Sequence, residues 1–216
     1  MSKKPNAVVL LSGGLDSTTT VAIAKSEGFS VHALTFRYGQ RHEAELTASR
    51  QVAQALGVQK HVEAEIDLRL FGGSALTTTD IEVPKDRPID QLSEGIPVTY
   101  VPARNTIFLS FALAWSEVLE AQDIFIGVNA LDYSGYPDCR PEFIHAFDTM
   151  ERHALQGVSS ISIYTPFLNW SKADIVSEGN RLLVPFSETW SCYKGEEIHC
   201  GRCGTCVERQ EAFLIA

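Results

Sequence analysis

The stretch Ser12-Gly13-Gly14-Leu15-Asp16-Ser17 follows an apolar run at residues 7–11 and precedes a helix-compatible segment at residues 18–24. This order predicts a strand, a tight glycine turn and the start of a helix. Adjacent glycines adopt backbone angles closed to other residues and let a ligand approach the main chain. Asp16 or Ser17 is expected to cap the helix, whose free N–H groups and positive dipole end attract phosphate. The stretch therefore predicts a phosphate-binding loop.

Two better-known phosphate loops do not fit this stretch. The Walker loop needs a lysine straight after its last glycine, where this chain has Leu15. The dinucleotide fingerprint needs separated glycines, and here they are adjacent. The pattern S-G-G-x-D-S after a first strand resembles the pyrophosphate loop of the N-type ATP pyrophosphatases. That resemblance implies cleavage of ATP between its α and β phosphates to adenylate a substrate oxygen.

Length and composition bound the class of protein. A chain of 216 residues accommodates one α/β domain with a small appendage. The net charge of −9 argues against non-specific nucleic-acid binding, whereas ATP binding depends on Mg²⁺ and local backbone dipoles. The apolar run before the glycines is too short for a signal peptide, and no run is long enough to span a membrane. We therefore expect a cytoplasmic protein without a membrane partner.

Strand-like and helix-like segments alternate along the chain. This alternation predicts an α/β fold, a Rossmann-like parallel sheet with helices on both faces. Predicted strands cover residues 7–11, 29–36, 61–66, 124–128 and 161–167. Helices are predicted after the glycine turn and from about Gln40, Pro102, Pro141 and Ser171. The third strand alternates apolar and polar residues and should lie near a sheet edge, whereas residues 124–128 suit its centre.

One segment, residues 67–101, has no periodic pattern. It contains Gly72-Gly73, three consecutive threonines, several prolines and many carboxylates. Long segments of this kind are usually functional or disordered, so we expect either a lid over the nucleotide or a flexible excursion.

Polar clusters follow four of the predicted strands, at residues 12–17, 37–38, 129–140 and 169–172. Because ligands collect at the carboxyl ends of parallel strands, these clusters should converge on one active site. Lys172, at a capped helix start, is expected to reach a phosphate. Arg104 lies at another helix entrance, and its planar fork suits phosphate or carboxylate. Arg37 is either an ATP contact or a surface charge.

The segment at residues 127–143 is rich in polar and aromatic side chains. Tyrosines stack on flat heterocycles, carboxylates accept from a purine-like amine edge, and arginine pairs with carboxylate. An ordinary polar surface loop is the alternative. The expected substrate contacts, with Arg104, are Asn129, Tyr133, Tyr136, Asp138, Arg140 and Glu142.

Four of the five cysteines lie close together near the C-terminal end: Cys192, Cys200, Cys203 and Cys206. Four thiolates with no open position form a closed, structural zinc site. A redox C-x-x-C pair is the weaker alternative because four cysteines share the stretch, and His199 is an alternative ligand. Cys139 is expected to be a free thiol, since disulfides are rare in a reducing compartment.

With these residues, the chain closely resembles the 7-cyano-7-deazaguanine synthases over its full length. The resemblance rests on the glycine loop, on Val101-Pro102-Ala103-Arg104-Asn105, on residues 127–143 and on the four cysteines. Leu15 stands where many members carry glutamine, and Ala103 where many carry glycine. The resemblance divides the chain into an ATP pyrophosphatase-type domain at residues 1–185 and a zinc-binding region packed on it at residues 186–216. It also implies a homodimer.

The family converts 7-carboxy-7-deazaguanine, ammonia and ATP into the nitrile. The resemblance implies that the acid is adenylated, that ammonia displaces AMP, and that the resulting amide is adenylated and loses AMP. Catalytic roles are expected for Asp16, Ser17, Asp132 and Lys172, with Mg²⁺ on Asp16 or Asp132 and Zn²⁺ on the four cysteines. Ammonia should come from solution or a partner. The implied ATP contacts, with Arg37 as a further candidate, are Leu10, Leu11, Ser12, Gly13, Gly14, Leu15, Asp16, Ser17, Thr18, Thr19 and Thr20.

Two alternatives differ in substrate. A tRNA-modifying enzyme with the same loop would need a reactive cysteine for sulfur insertion, and Cys139 is the one candidate outside the zinc set. The acidic net charge disfavours that reading. A zinc-ribbon binding module would carry more basic residues than the few around the cysteines. Conversion of ATP to AMP with the deazaguanine acid separates these possibilities.

Overall fold

The computed structural model describes residues 4–41, 43–86, 95–129, 135–155, 161–195 and 198–216. Within those ranges one parallel sheet has the order β3-β2-β1-β4-β5. The chain starts at β1, moves outward to β3, and returns to place β4 on the other side of β1. Such a reversal is where open α/β sheets bind ligands. The strands are β1 (Asn6–Leu10), β2 (Ser30–Arg37), β3 (Lys60–Glu65), β4 (Asp123–Phe125) and β5 (Ser162–Tyr164).

Helices cover both faces of this sheet, which confirms the predicted fold class. They are α1 (Leu15–Ser26), α2 (Ala44–Ala55), α3 (Arg104–Leu119), α4 (Pro141–Ala154), α5 (Lys172–Arg181) and α6 (Gly204–Ile215). Side chains of β1 alternate between the faces. Ala7 and Val9 pack with residues of α1 and α2, whereas Val8 and Leu10 pack with residues of α3 and α4.

The last two helices form a third apolar cluster against α1. Ile175 and Val176 of α5 and Ala212 of α6 are buried with Leu15 and Ala22 of α1. This packing places the start of α5 beside the phosphate loop and brings α6 next to the sheet reversal. The C-terminal region therefore contributes to the same end of the molecule as the first strand.

Several helix and strand boundaries differ from those predicted from the sequence. The capping prediction is wrong: Gly14 is the N-cap of α1, and no side chain caps that end. The second helix starts at Ala44 rather than Gln40, because the Gln40 amide bonds to the backbone of Tyr38 and Phe36 and closes a turn. β4 ends at Phe125, and the next residues turn toward the ligand end of the sheet.

The segment predicted as a lid or a flexible excursion is partly packed against the domain where the structure describes it. Leu68, Ala75, Leu76 and Val101 are buried. Lys85 forms an antiparallel bridge with Cys203. Residues 87–94 lie outside the described residues, so closure of this segment remains a prediction.

None of the helices in the described ranges combines the length and the apolar character needed to cross a membrane.

Candidate active site

A cavity of about 270 Å³ opens at the carboxyl ends of β1, β2 and β4. The phosphate loop forms one wall, and the starts of α3 and α5 form two others. Many of the residues predicted from the sequence meet here: Leu10, Leu11, Ser12, Gly14, Leu15, Asp16, Ser17, Arg104, Asn129, Tyr136 and Lys172. The sheet reversal therefore gathers residues from distant parts of the chain into one site.

The glycine loop lies directly against α2. Gly13 has a φ of +84°, and a Cβ there would lie 2.6 Å from both Glu45 O and Ser49 N. A side chain is excluded for two reasons: it would overlap the backbone of α2, and the left-handed φ favours glycine. The Ser17 hydroxyl donates to Gly14 O and accepts from the backbone N–H of Ser12, both at 3.1 Å. These bonds close the loop around the N-terminus of α1, which faces the cavity.

Asp16 and Lys172 form the charged centre of the site. Lys172 Nζ donates to Asp16 Oδ2 at 2.7 Å, and both side chains are largely shielded from solvent. Lys172 begins α5 behind a complete capping box in which Ser171 and Asp174 satisfy each other's N–H groups, as the sequence predicted. Asp16 Oδ1 is buried and has no hydrogen-bond partner among the described residues. This oxygen is an unsatisfied acceptor, and its chemistry suits a cation or a hydrogen-bond donor.

Three threonines of the predicted ATP stretch are buried in α1 instead of lining the cavity. The hydroxyls of Thr18, Thr19 and Thr20 donate to the carbonyls of Gly14, Leu15 and Asp16, at distances of 2.7, 3.0 and 2.9 Å. Their polar atoms are therefore used within the helix. Close packing also restricts Gly127, where a Cβ would lie 2.7 Å from Thr20 Oγ1.

Arg104 enters the cavity from the start of α3. The preceding residue, Ala103, is left-handed with a φ of +55°. Its N–H donates to the Tyr100 hydroxyl at 3.0 Å. The Arg104 guanidinium lies over the ring of Tyr38, 5.7 Å from its centre, and 6.0 Å from the ring centre of Phe108. The left-handed turn thus aims the first side chain of α3 along an aromatic wall.

The segment at residues 127–143 divides between the cavity and the protein scaffold. Asn129 and Tyr136 line the cavity, and the Tyr136 hydroxyl bonds with Thr99 Oγ1 at 2.7 Å. Asp138 is buried, and its Oδ2 accepts from the backbone N–H of Asn105 at 2.9 Å. Its position supports the start of α3.

The other predicted contacts lie elsewhere. Arg140 and Glu142 are exposed at the start of α4 and do not line the cavity. Arg37 is part-exposed, pairs with Glu43 and does not line it either. Asp132 and Tyr133 lie outside the described residues.

Cys139 is a buried free thiol on the cavity wall. It accepts a 3.3 Å hydrogen bond from Asn105 Nδ2. Burial, together with the neighbouring Asp138 charge, raises the pKa of Cys139 to about 12. At neutral pH the thiol is therefore protonated and a poor nucleophile.

The four C-terminal cysteines form one cluster. Their sulfur atoms all lie within 4.8 Å of one another. Tetrahedral Zn–S bonds of about 2.3 Å require sulfur separations of about 3.8 Å, so modest side-chain adjustment completes the geometry. Backbone N–H groups of Lys194 and Cys200 donate to Cys192 Sγ at 3.3 and 3.4 Å. His199 is used differently, because its Nε2 accepts from the Ser191 N–H and its ring stacks on Trp190.

Sequence reasoning missed one whole wall of the cavity. Residues near the cysteine cluster line it: Trp190, Ser191, Tyr193, Thr205, Glu208 and Arg209. Only their closeness in sequence to the cysteines hinted at a role. Their approach to the phosphate loop depends on the packing of α5 and α6 against α1.

Comparisons with known proteins agree on a family. The chain is 55% identical over 222 residues to a 7-cyano-7-deazaguanine synthase from Syntrophus aciditrophicus (strain SB), covering 100% of this chain and 96% of that relative. It is 58% identical over 216 residues to one from Kineococcus radiotolerans, covering 97% and 93%.

Solved structures show the fold alone. The NMN synthetase from Francisella tularensis aligns with a TM-score of 0.53 at 16% identity, covering 92% of this chain and 71% of that one. A 4-thiouridine synthetase in complex with RNA and ATP aligns with a TM-score of 0.50 at 17% identity, covering 97% and 53%.

The family comparison covers almost the whole chain, since residues 6–216 match the model described as queuosine biosynthesis protein QueC. Together with relatives more than half identical over the full length, this match shows that the chain belongs to the QueC family.

Proposed function

We propose that this protein converts 7-carboxy-7-deazaguanine, ammonia and ATP into 7-cyano-7-deazaguanine, the activity that names its curated relatives. The assignment of this activity to the cavity rests on one observation. The glycine loop, the Asp16–Lys172 pair and the start of α3 face the same cavity at the sheet reversal. A nucleotide on the loop would therefore present its phosphates to a second molecule in that cavity.

The proposed reaction has two adenylations. The substrate carboxylate attacks the α-phosphate of ATP, and pyrophosphate leaves. Ammonia then adds to the acyl carbon and displaces AMP, giving the amide. The amide oxygen attacks the α-phosphate of a second ATP and pyrophosphate leaves. Loss of AMP and of the nitrogen protons from this adenylate then gives the nitrile. No covalent bond to the protein is needed, so its contribution is positioning and charge stabilisation.

Stabilisation of the leaving pyrophosphate is assigned to the phosphate loop. The free N–H groups at the start of α1 and the ammonium of Lys172 face the position where negative charge develops. Ser17 acts by holding the loop closed, as its hydrogen bonds to Ser12 and Gly14 support. Ser12 is exposed at the cavity and can donate its hydroxyl to a phosphate oxygen.

Two metals are proposed. Mg²⁺ bound with ATP would neutralise phosphate charge, and the unpartnered Oδ1 of Asp16 fits a hard cation. The cysteine cluster fits Zn²⁺, because four sulfur donors without an oxygen or water position suit a structural zinc site. The roles of Asp132 in binding Mg²⁺ and of Tyr133 in binding substrate remain predictions.

Recognition of the flat ring is assigned to the aromatic side of the cavity. Phe36 and Phe108 stack with ring centres 3.9 Å apart, and Tyr38 lies beside Phe108. Tyr136 lines the neighbouring wall. Aromatic faces favour stacked or edge contacts with planar heterocycles.

The sulfur-inserting tRNA enzyme is less well supported. Such a reaction needs an ionised thiol, whereas the pKa of Cys139 is about 12. A pure zinc-binding module is disfavoured because residues around the cysteine cluster line the nucleotide cavity. We also propose a cytoplasmic homodimer, ammonia supplied by solution or a partner, and the division of the chain at residue 185.

The decisive experiment incubates purified protein with the acid, ammonium, Mg²⁺ and ATP labelled in the α-phosphate. We expect nitrile, AMP and pyrophosphate, formed only when the acid is present. ADP and inorganic phosphate as the sole nucleotide products would contradict the adenylation mechanism. AMP release driven by tRNA and not by the acid would favour the alternative.

A further inference from the structure

We propose that Arg104 binds the carboxylate of the substrate acid, so that it is required for the first adenylation and not for the second. This inference rests on the proposed function and names one residue's part in it. It follows from a comparison of the hydrogen-bond and ion-pair partners of the positively charged side chains in the cavity.

Three cationic side chains line the described cavity: Arg104, Lys172 and Arg209. Lys172 is paired with Asp16 at 2.7 Å. Arg209 donates to Thr189 Oγ1 at 2.7 Å, to Ser191 Oγ at 3.2 Å and to Phe186 O at 2.8 Å. Both of these side chains therefore have defined partners in the protein.

Arg104 differs from the other two. Across the residues that the structure describes, the one hydrogen bond of its guanidinium is a long contact of 3.5 Å to the Tyr38 hydroxyl. No described carboxylate lies within ion-pair distance of it, and Asp138, which influences its charge, accepts from the Asn105 backbone instead. A guanidinium has five donors and is always charged, so shielding it without an anion is unfavourable. Among the described residues nothing neutralises this charge, so an anionic ligand fits the position in front of the guanidinium.

Position favours a carboxylate over the triphosphate. The phosphate loop and Lys172 already provide an anion site at the start of α1, whereas Arg104 projects from α3 along Tyr38 and Phe108. A planar ring against that aromatic wall would bring its own carboxylate to the guanidinium. The fork of arginine matches a carboxylate through two parallel hydrogen bonds.

The charge change during the reaction gives this contact a specific consequence. A carboxylate and the α-phosphate repel each other, and a guanidinium between them offsets that repulsion. The amide formed after the first adenylation is neutral and needs no such neutralisation. Removing the Arg104 charge should therefore impair use of the acid much more than use of the amide.

The test compares Arg104→Met and Arg104→Lys with wild type on two substrates, the acid with ammonium and ATP, and the synthetic amide with ATP alone. Arg104→Met should lower kcat/KM for the acid by roughly a hundredfold or more, since it removes one partner of a shielded charge pair. Turnover of the amide should stay within about threefold. Arg104→Lys should fall between, because it keeps the charge without the fork. Arg181→Met, an exposed arginine of α5 paired with Glu178, is the matched control and should change neither substrate.

The ratio of acid to amide turnover is the deciding quantity, because a damaged fold lowers both together. Equal losses for both substrates with a raised KM for ATP would overturn the inference in favour of a phosphate contact. Unchanged use of the acid by Arg104→Met would overturn it as well. If Arg104→Met does not fold, the same ratio is read from Arg104→Lys. Failure of wild-type protein to convert the acid would contradict the proposed function itself.

Discussion

The backbone N–H of Trp190 donates to the carbonyl oxygen of Gly13 at 2.8 Å. This bond ties the phosphate loop to the residues that lead into the cysteine cluster. The Trp190 indole N–H donates to Cys192 O at 2.7 Å, and the Thr205 hydroxyl donates to Ser191 O at 2.6 Å. The cysteine cluster therefore supports the phosphate loop from outside the sheet. Disrupting the cluster should displace the loop and weaken nucleotide binding.

Cys203→Ser should lose bound zinc and weaken ATP use. Structural zinc contributes roughly 10–16 kcal/mol of apparent binding free energy in small peptides, so losing one thiolate ligand is severe. Because Trp190 and Ser191 are held by this region, we expect the KM for ATP to rise while the sheet stays folded. Elemental analysis and steady-state kinetics measure both effects. Cys139→Ser is the control and should keep its zinc. A Cys203→Ser protein with full zinc content would remove Cys203 from the ligand set.

Asp16→Asn should fold normally and lose activity. The change keeps the shape of the side chain but removes the charge that pairs with Lys172 and weakens Oδ1 as a ligand for a cation. We expect kcat to fall by about 10²–10³-fold, as when one preorganised electrostatic contact is removed. Asp67→Asn, which disrupts an exposed pair with Arg69, is the matched control and should keep full activity. Near-normal turnover by Asp16→Asn would show that the cradle for phosphate lies elsewhere.

One site should perform both adenylations, because the described residues contain one glycine phosphate loop facing one cavity. The acid and the amide share a ring, so either can present its oxygen to the same α-phosphate. Synthetic amide should therefore give nitrile with one ATP and without ammonia, measured by chromatography of nitrile and AMP. Asp16→Asn should fail with both substrates, in contrast to Arg104→Met. Dehydration of the amide by Asp16→Asn at the wild-type rate would require a second site.

Ala103→Gly should stabilise the protein. A non-glycine residue in the left-handed region costs about 1–2 kcal/mol. Glycine relieves that strain, but it loses more conformational freedom on folding, which offsets about 0.4–1 kcal/mol of the stabilisation. The free energy of unfolding should therefore rise by about 0.5–1 kcal/mol, measured by denaturant titration at unchanged slope. Ala114→Gly, at an exposed position within α3, is the matched control and should lower it by about 1 kcal/mol. A lower stability for Ala103→Gly would contradict the left-handed turn.

Cys139 should resist alkylation in the folded protein. With a pKa of about 12, its thiol has almost no thiolate at pH 8, and its side chain is buried. Iodoacetamide at pH 8 should leave Cys139 unmodified in native protein and modify it after unfolding, as mass spectrometry of peptides would show. The four cysteines of the C-terminal cluster serve as the internal comparison. Rapid native modification of Cys139 would restore the sulfur-transfer hypothesis.

The local sequence determined the parts of this protein that depend on near neighbours. The order of strands and helices, the glycine loop, the Ser171–Asp174 capping box and the four clustered cysteines follow from spacing along the chain. Each of these features depends on contacts between residues a few positions apart or on the residue types within one short motif. For the same reason, the start of a helix at Lys172 was predictable, whereas its contact with Asp16 depends on the packing of α5 against α1.

Tertiary structure decided which polar residues face the cavity. Asp138 and Tyr136 are two positions apart, yet Asp138 supports the start of α3 and Tyr136 lines the site. The placement of Arg104 beside Tyr38, away from every described carboxylate, and the bond from Trp190 to Gly13 both involve segments distant in sequence. These relationships depend on how helices pack across the sheet reversal, and the summed packing of many side chains fixes that geometry, which no local pattern encodes.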